Sequence, residues 1–290
     1  MSSDPKVVWN LEAELGEGPV WVERDRALWF VDIKKQLIHR FDPASNAKQS
    51  WEAPQQVSFL FPAERGGFVA GLHSGLYHFD ERDGRFELIV EVEPDKPDNR
   101  LNDGVVDPHG RLWFGTMDNK EQSKSGAFYC FDGGKLTRTG IDGIAITNGP
   151  TVSPDGRLLY FVDTKRGTIE AAEIHDDGSL GERRPFVKID PKEGHPDGPT
   201  IDSEGCVWIG LYAGWEARRY SPEGELMDRV RFPAANITKI ALGGEGLTTA
   251  YATTARQLLT AEQIARQPRI GDLFEFPAPA AGIPCPLVRL

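Results

Sequence analysis

Ser153-Pro154-Asp155-Gly156-Arg157-Leu158-Leu159-Tyr160-Phe161-Val162-Asp163-Thr164 is a phrase that the chain uses repeatedly. Pro, Asp and Gly signal a turn, and an aromatic and aliphatic run follows, so the phrase reads as turn then strand. One strong variant is Asp25-Arg26-Ala27-Leu28-Trp29-Phe30-Val31-Asp32, and others stand at 107–116 and 202–210. Weaker ones stand at 64–71 and 243–254. Anchored on Trp29, Val69, Trp113, Tyr160, Trp208 and Tyr251, the copies lie 40, 44, 47, 48 and 43 residues apart.

Most copies are followed by a second run that alternates apolar and polar residues. Leu37-Ile38-His39-Arg40-Phe41-Asp42 and Ala127-Phe128-Tyr129-Cys130-Phe131-Asp132 are examples. Such alternation marks a half-buried strand. Six multi-strand units of ~40–48 residues predict an all-β, six-bladed β-propeller, because one blade cannot bury both faces and a closed ring can. Residues 1–290 are expected to form this single domain. Val7-Val8-Trp9 is expected to pair near 272–276 and latch the ring. The one helical signal runs over 260–267, with Thr260 as N-cap and Pro268 as the stop.

Lys and Arg number 33 against 44 Asp and Glu, a net charge of −11. Polyanions are repelled by such a chain, which argues against nucleic acid as a partner. Aromatic residues at 10% provide a packed core and exclude a disordered or fibrous chain. Cys130, Cys206 and Cys285 show no CxxC or zinc spacing, so neither a disulfide framework nor a thiolate metal site is expected. No apolar run approaches the ~18 residues that cross a bilayer. Residues 1–8 lack the pattern of a signal peptide. The expectation is a cytoplasmic protein with no membrane partner, and the sequence carries no signal for oligomeric state.

Polar residues recur at one phase of the repeat. Glu17, Asn102, Asn148 and Asp197 each lie eleven or twelve residues before an anchor and precede a short apolar strand. In a propeller the first strand of each blade lines the central channel, so these side chains should converge on the axis. Two carboxylates and two amides placed so close repel or go unpaired unless a cation satisfies them. Oxygen ligands suit Ca²⁺, Mg²⁺ and Mn²⁺, and mixed sites take Zn²⁺ or Fe²⁺. One divalent metal ion is therefore expected as cofactor. The histidines show no HxH or HExxH spacing, although His195, two residues before Asp197, is placed to line the pocket rim. No nucleophile elbow, Walker loop or dinucleotide fingerprint is present.

As an ordered set, six stretches resemble the senescence marker protein (regucalcin)/gluconolactonase family of six-bladed propellers. They are Leu15-Gly16-Glu17-Gly18-Pro19-Val20-Trp21, Asn99-Arg100-Leu101-Asn102-Asp103-Gly104, Gly115-Thr116-Met117, Thr147-Asn148-Gly149-Pro150, His195-Pro196-Asp197-Gly198 and Thr253-Thr254-Ala255-Arg256. The resemblance implies a lactonase that opens sugar-acid lactones, such as gluconolactone or xylonolactone, with one divalent metal. Residue by residue, it makes Glu17, Asn148 and Asp197 the metal ligands and Arg100 and Asn102 substrate contacts. An acidic residue after Gly115-Thr116-Met117 contacts substrate in parts of the family. Asp118 and Glu121 both qualify here. Asp197 is expected to act as general base, and Asp103 to orient Arg100 or a blade turn. Another hydrolase on this scaffold, acting on aryl esters or organophosphates, needs a more apolar pocket than Arg100, Asn102, Asp118 and Glu121 provide. A non-enzymatic calcium-binding propeller is the other alternative.

Overall fold

A computed structural model describes residues 4–290. Among them stand six four-stranded antiparallel sheets. Their innermost strands are Gly16–Val22, Val57–Pro62, Asn99–Val106, Thr147–Val152, His195–Ile201 and Ile237–Gly243. These strands pack in that cyclic order, and the last packs back on the first. The ring is a closed six-bladed propeller. Closure follows the expected latch, because Lys6–Trp9 pairs with Leu273–Pro277 and so completes the last blade from the other end of the chain.

The repeated phrase has a physical origin. Asp25, Asp107 and Asp202 accept the indole N–H of Trp29, Trp113 and Trp208 at 3.0, 2.8 and 3.1 Å. Asp107 also accepts the turn amides of His109 and Arg111, and Asp202 those of Glu204 and Cys206. One carboxylate thus closes the turn and satisfies an indole buried in the blade, where an unpaired N–H would be costly. The copies at 64–71, 153–164 and 243–254 contain no such Asp–Trp pair. Burial falls outward along the first blade: Ala27–Asp32 is wholly buried, Leu37–Asp42 partly, and Ala47–Glu52 is almost wholly exposed.

Each innermost strand slips register against its neighbour at one point. The slips fall at Glu17/Val20, Val57/Phe59, Leu101/Gly104, Asn148/Thr151, Asp197/Thr200 and Ile237/Ile240. A bulge bends its strand and re-aims side chains, and here it turns three blades' polar residues to one end of the channel. Gly149 makes this possible in its blade: φ is +73°, and a Cβ would lie 2.4 Å from Pro199. Asn102 is one residue out of the expected phase. Leu101 takes the bulge position that Glu17, Asn148 and Asp197 hold, and Asn102 lies inside the bulge.

The short helix is Ala261–Ala265, capped by Thr260 in a reciprocal capping box with Gln263. At the other end of the channel the C-terminal segment crosses the ring. Ala281, Gly282, Val288 and Arg289 hydrogen-bond to Ser203, Leu247, Pro62 and Gly110, which belong to four different blades.

Candidate active site

The N-terminal ends of the innermost strands open on a cavity of about 330 Å³. Glu17, Arg100, Asn102, Asn148, Asp197 and His195 line it together with Glu121. Asp118 does not line it. Its carboxylate accepts the amides of Ser123, Gln122 and Lys120 at 2.8, 3.0 and 3.1 Å. Those bonds, Ser123's foremost, hold the Asp118 carboxyl down at about 2. Asp118 folds the loop, and the loop presents Glu121.

Asn148 is fixed from behind. Its Nδ2 donates to Thr164 Oγ1 at 2.8 Å, and Thr164 Oγ1 donates to the Pro196 carbonyl at 2.9 Å. That chain sets the amide so that Oδ1 accepts Asn102 Nδ2 at 2.9 Å. Asn102 Nδ2 also donates to the Thr147 carbonyl at 2.5 Å, while Asn102 Oδ1 accepts Arg100 Nη1 at 2.7 Å. Arg100 is 2% exposed, and burial pulls its guanidinium down to about 10. Its Nη2 has no hydrogen-bond partner among the described residues.

Glu17 and Asp197 are both 6% exposed. In each, one oxygen accepts the amide of the next residue: Gly18 N to Glu17 Oε2 at 3.0 Å, and Gly198 N to Asp197 Oδ1 at 2.9 Å. The second oxygens, Glu17 Oε1 and Asp197 Oδ2, have no partner among the described residues, and no Lys or Arg nitrogen lies within 4.0 Å of either carboxylate. Burial raises both carboxyls above their ordinary range. Asp103's charge raises Glu17 further, and Glu17's charge raises Asp197 further.

Asp103 does not orient Arg100, contrary to one of the two roles expected for it. It accepts Lys239 Nζ at 2.6 Å, Gly104 N at 2.7 Å and Gly149 N at 2.9 Å, all in the interior. Lys239 lies 136 positions away in sequence and lacks a motif of its own. Sequence reasoning missed it, together with Thr164, Lys165, Tyr212 and Gln257 of the cavity wall. Thr164 ends the repeated phrase. Only the strand pairing that sets Thr147 opposite Asp163 brings it behind Asn148.

The donor chemistry fits a divalent cation. Among the described residues no group of three His, Cys, Asp or Glu has metal-binding geometry. The set here is different: two carboxylates and an amide oxygen. Two buried carboxyls with open oxygens and no cationic partner resist ionising alone, and a hard dication would neutralise their charged forms.

Residues 15–256 match the model of the SMP-30/Gluconolactonase/LRE-like region. The chain is 32% identical to a 6-deoxy-6-sulfogluconolactonase of Pseudomonas putida over 277 residues, covering 94% of each protein. It is 34% identical to an L-arabinolactonase of Azospirillum brasilense, covering 93% of this chain and 90% of that one. Among solved structures, the calcium-binding protein regucalcin of Agrobacterium tumefaciens superposes with a TM-score of 0.95 at 30% identity, covering 100% of this chain and 98% of that one.

Proposed function

The chain belongs to the SMP-30/gluconolactonase/LRE-like family, and from that premise we propose that it is a metal-dependent lactonase opening sugar-acid lactones to the free acids. One observation carries this reading beyond the relatives' names. Glu17, Asn148 and Asp197, from three blades, line one cavity with two open carboxylate oxygens and an amide oxygen, beside a buried guanidinium. These three residues would hold the metal. A divalent ion bound there supplies a Lewis acid for the lactone carbonyl and the charge that develops on it.

The chain's own groups account for the rest of the chemistry. The Asp197 carboxylate takes a proton from a water as that water's oxygen bonds to the carbonyl carbon. The ring carbon–oxygen bond then breaks, and the ring oxygen takes the proton back as a hydroxyl, leaving a carboxylic acid. Asn102 locks Asn148 Oδ1 in place and is itself held by Arg100 Nη1. Arg100 Nη2 and Glu121 are available to substrate oxygens and hydroxyls. These polar groups fit a hydroxylated substrate, and Leu15, Met117, Ile146 and Leu258 form an apolar wall beside them.

The test is acid release from gluconolactone, xylonolactone and arabinolactone by metal-stripped protein, before and after single divalent metals are restored. Turnover above the spontaneous rate that returns with metal supports the reading. Equal rates for stripped and reloaded protein, both at the spontaneous rate, refute it.

A further inference from the structure

Resting on the lactonase reading, we infer that His195 is a specificity-determining residue: its imidazole hydrogen-bonds one hydroxyl of the sugar ring beyond the lactone carbonyl. The cavity is built in two tiers. Glu17, Asn148 and Asp197 make the inner one. Leu15, Ile146 and His195 stand two residues earlier on the same three chain segments and line the same cavity. Side chains two apart on an extended segment share a face and lie about 6–7 Å apart along it. The outer tier therefore meets the part of a substrate that projects past the metal candidates toward the mouth.

Leu15 and Ile146 can meet only carbon-bound hydrogens, so the polar contact from this tier falls to His195. Its ring is free to make one. His39, His73 and His78 each set a ring nitrogen against a protein oxygen, at 2.7, 3.0 and 3.0 Å. The His195 ring has no such partner among the described residues, and neither of its nitrogens is sealed from water. Tyr212 stands opposite His195 in the strand pairing and lines the same cavity, so the two share a face. Its hydroxyl is already committed, donating to the Gln257 carbonyl at 2.5 Å. Tyr212 thus walls His195 without occupying it. Arg100, two residues before Asn102, spends Nε and Nη1 on Asn119, Leu101 and Asn102. A neutral imidazole carries one N–H donor and one acceptor nitrogen, and a sugar hydroxyl is likewise both donor and acceptor. A site that bonds a substrate hydroxyl rejects the analogue lacking it, because its own polar group is then left unpaired.

The experiment compares kcat/KM of metal-loaded wild type and His195→Leu on D-gluconolactone and on its 2-, 3- and 4-deoxy forms. Wild type is expected to favour gluconolactone over one deoxy form by ~10-fold or more, the worth of one lost hydrogen bond. His195→Leu is expected to lose that preference and keep the others, because ring and hydroxyl act as one pair. His195→Gln, which still offers a donor and an acceptor, is expected to keep part of it. Divalent-metal affinity, measured by calorimetry, is expected to stay within ~2-fold of wild type, since the ligand candidates lie a tier below. A wild type with no such preference, a preference unchanged in His195→Leu, or an equal loss on all the lactones overturns the assignment and leaves the lactonase reading standing. So does a fall of ~10-fold or more in metal affinity, which would make His195 a support of the metal site. Should no lactone be opened above the spontaneous rate, the lactonase reading falls by itself. Calorimetry with gluconate then decides on His195: binding weakened ~10-fold in His195→Leu supports it, and equal binding overturns it.

Discussion

Glu17 and Asp197 oppose each other in the metal-free protein. Both carboxyls are raised by burial and by neighbouring negative charge, so at neutral pH their ionisation costs folding free energy. Glu17→Gln removes one of the charges without changing shape. The expected result is a metal-free protein that melts a few degrees higher, loses ~10²-fold or more in divalent-metal affinity, and no longer gains thermal stability from metal. Calorimetric melting with and without metal checks both halves. A metal-free melting point below wild type would contradict the assignment.

His39 provides a pH dependence independent of the site. Its ring is 2% exposed, packs against Trp9 and Phe30, and its Nδ1 meets Ser50 Oγ at 2.7 Å. Burial pulls it down to about 4. The unfolded chain therefore binds a proton that the folded one refuses. The neutral ring's contribution is complete above about pH 6.5 and is lost as pH falls toward 4, up to ~3 kcal/mol. His39→Gln should flatten the fall in unfolding free energy across that window. Parallel curves for the two proteins would show that His39 is not the group responsible.

At the scale of the strand, the bulge places the chemistry. Gly198 follows Asp197 with φ +21°, and a Cβ there would meet Lys239 Cβ at 2.5 Å and the Thr238 carbonyl at 2.6 Å. Gly198→Ala should cost ~2 kcal/mol or more, measured by denaturant unfolding, and displace Asp197 enough to lower kcat. A variant as stable and active as wild type would show that the bulge is more tolerant than its geometry implies.

The same scale shows how much the sequence discloses. Three of the blades are legible because Asp and Trp bond to each other through the turn, a contact within six residues. The metal candidates are legible because the repeat carries one phase around the ring. Asn102's offset is not, because the bulge that displaces it depends on pairing with 112–118. The Asp103–Lys239 pair joins blades far apart in sequence and leaves no local pattern. Asp118 and Glu121 differ only in which of them the backbone amides of the loop capture, a matter of conformation that residue types do not encode. Ser58 and Thr238, in the blades without a polar candidate, serve the ring itself: each donates to a carbonyl of a neighbouring innermost strand, Leu101 and Gly16, at 2.6 Å.

For the whole molecule, the propeller is a channel closed at one end. A smaller cavity of about 130 Å³ lies opposite the site, lined by Ile283, Pro284, Cys285 and Pro286 of the C-terminal segment. That segment bonds to four blades, so it braces the ring as well as covering it. Removing residues 279–290 should lower the melting point by several degrees and expose apolar strand ends, detected as new dye binding. An unchanged melting point would assign the segment no structural part.

The claim on which the rest depends is that residues from three blades grip a single dication. Anomalous diffraction from crystals grown with manganese tests it most directly. The account predicts one strong peak within coordinating distance of Glu17, Asn148 and Asp197 oxygens, absent from Glu17→Gln crystals. A peak elsewhere, or the same peak in both proteins, would contradict it.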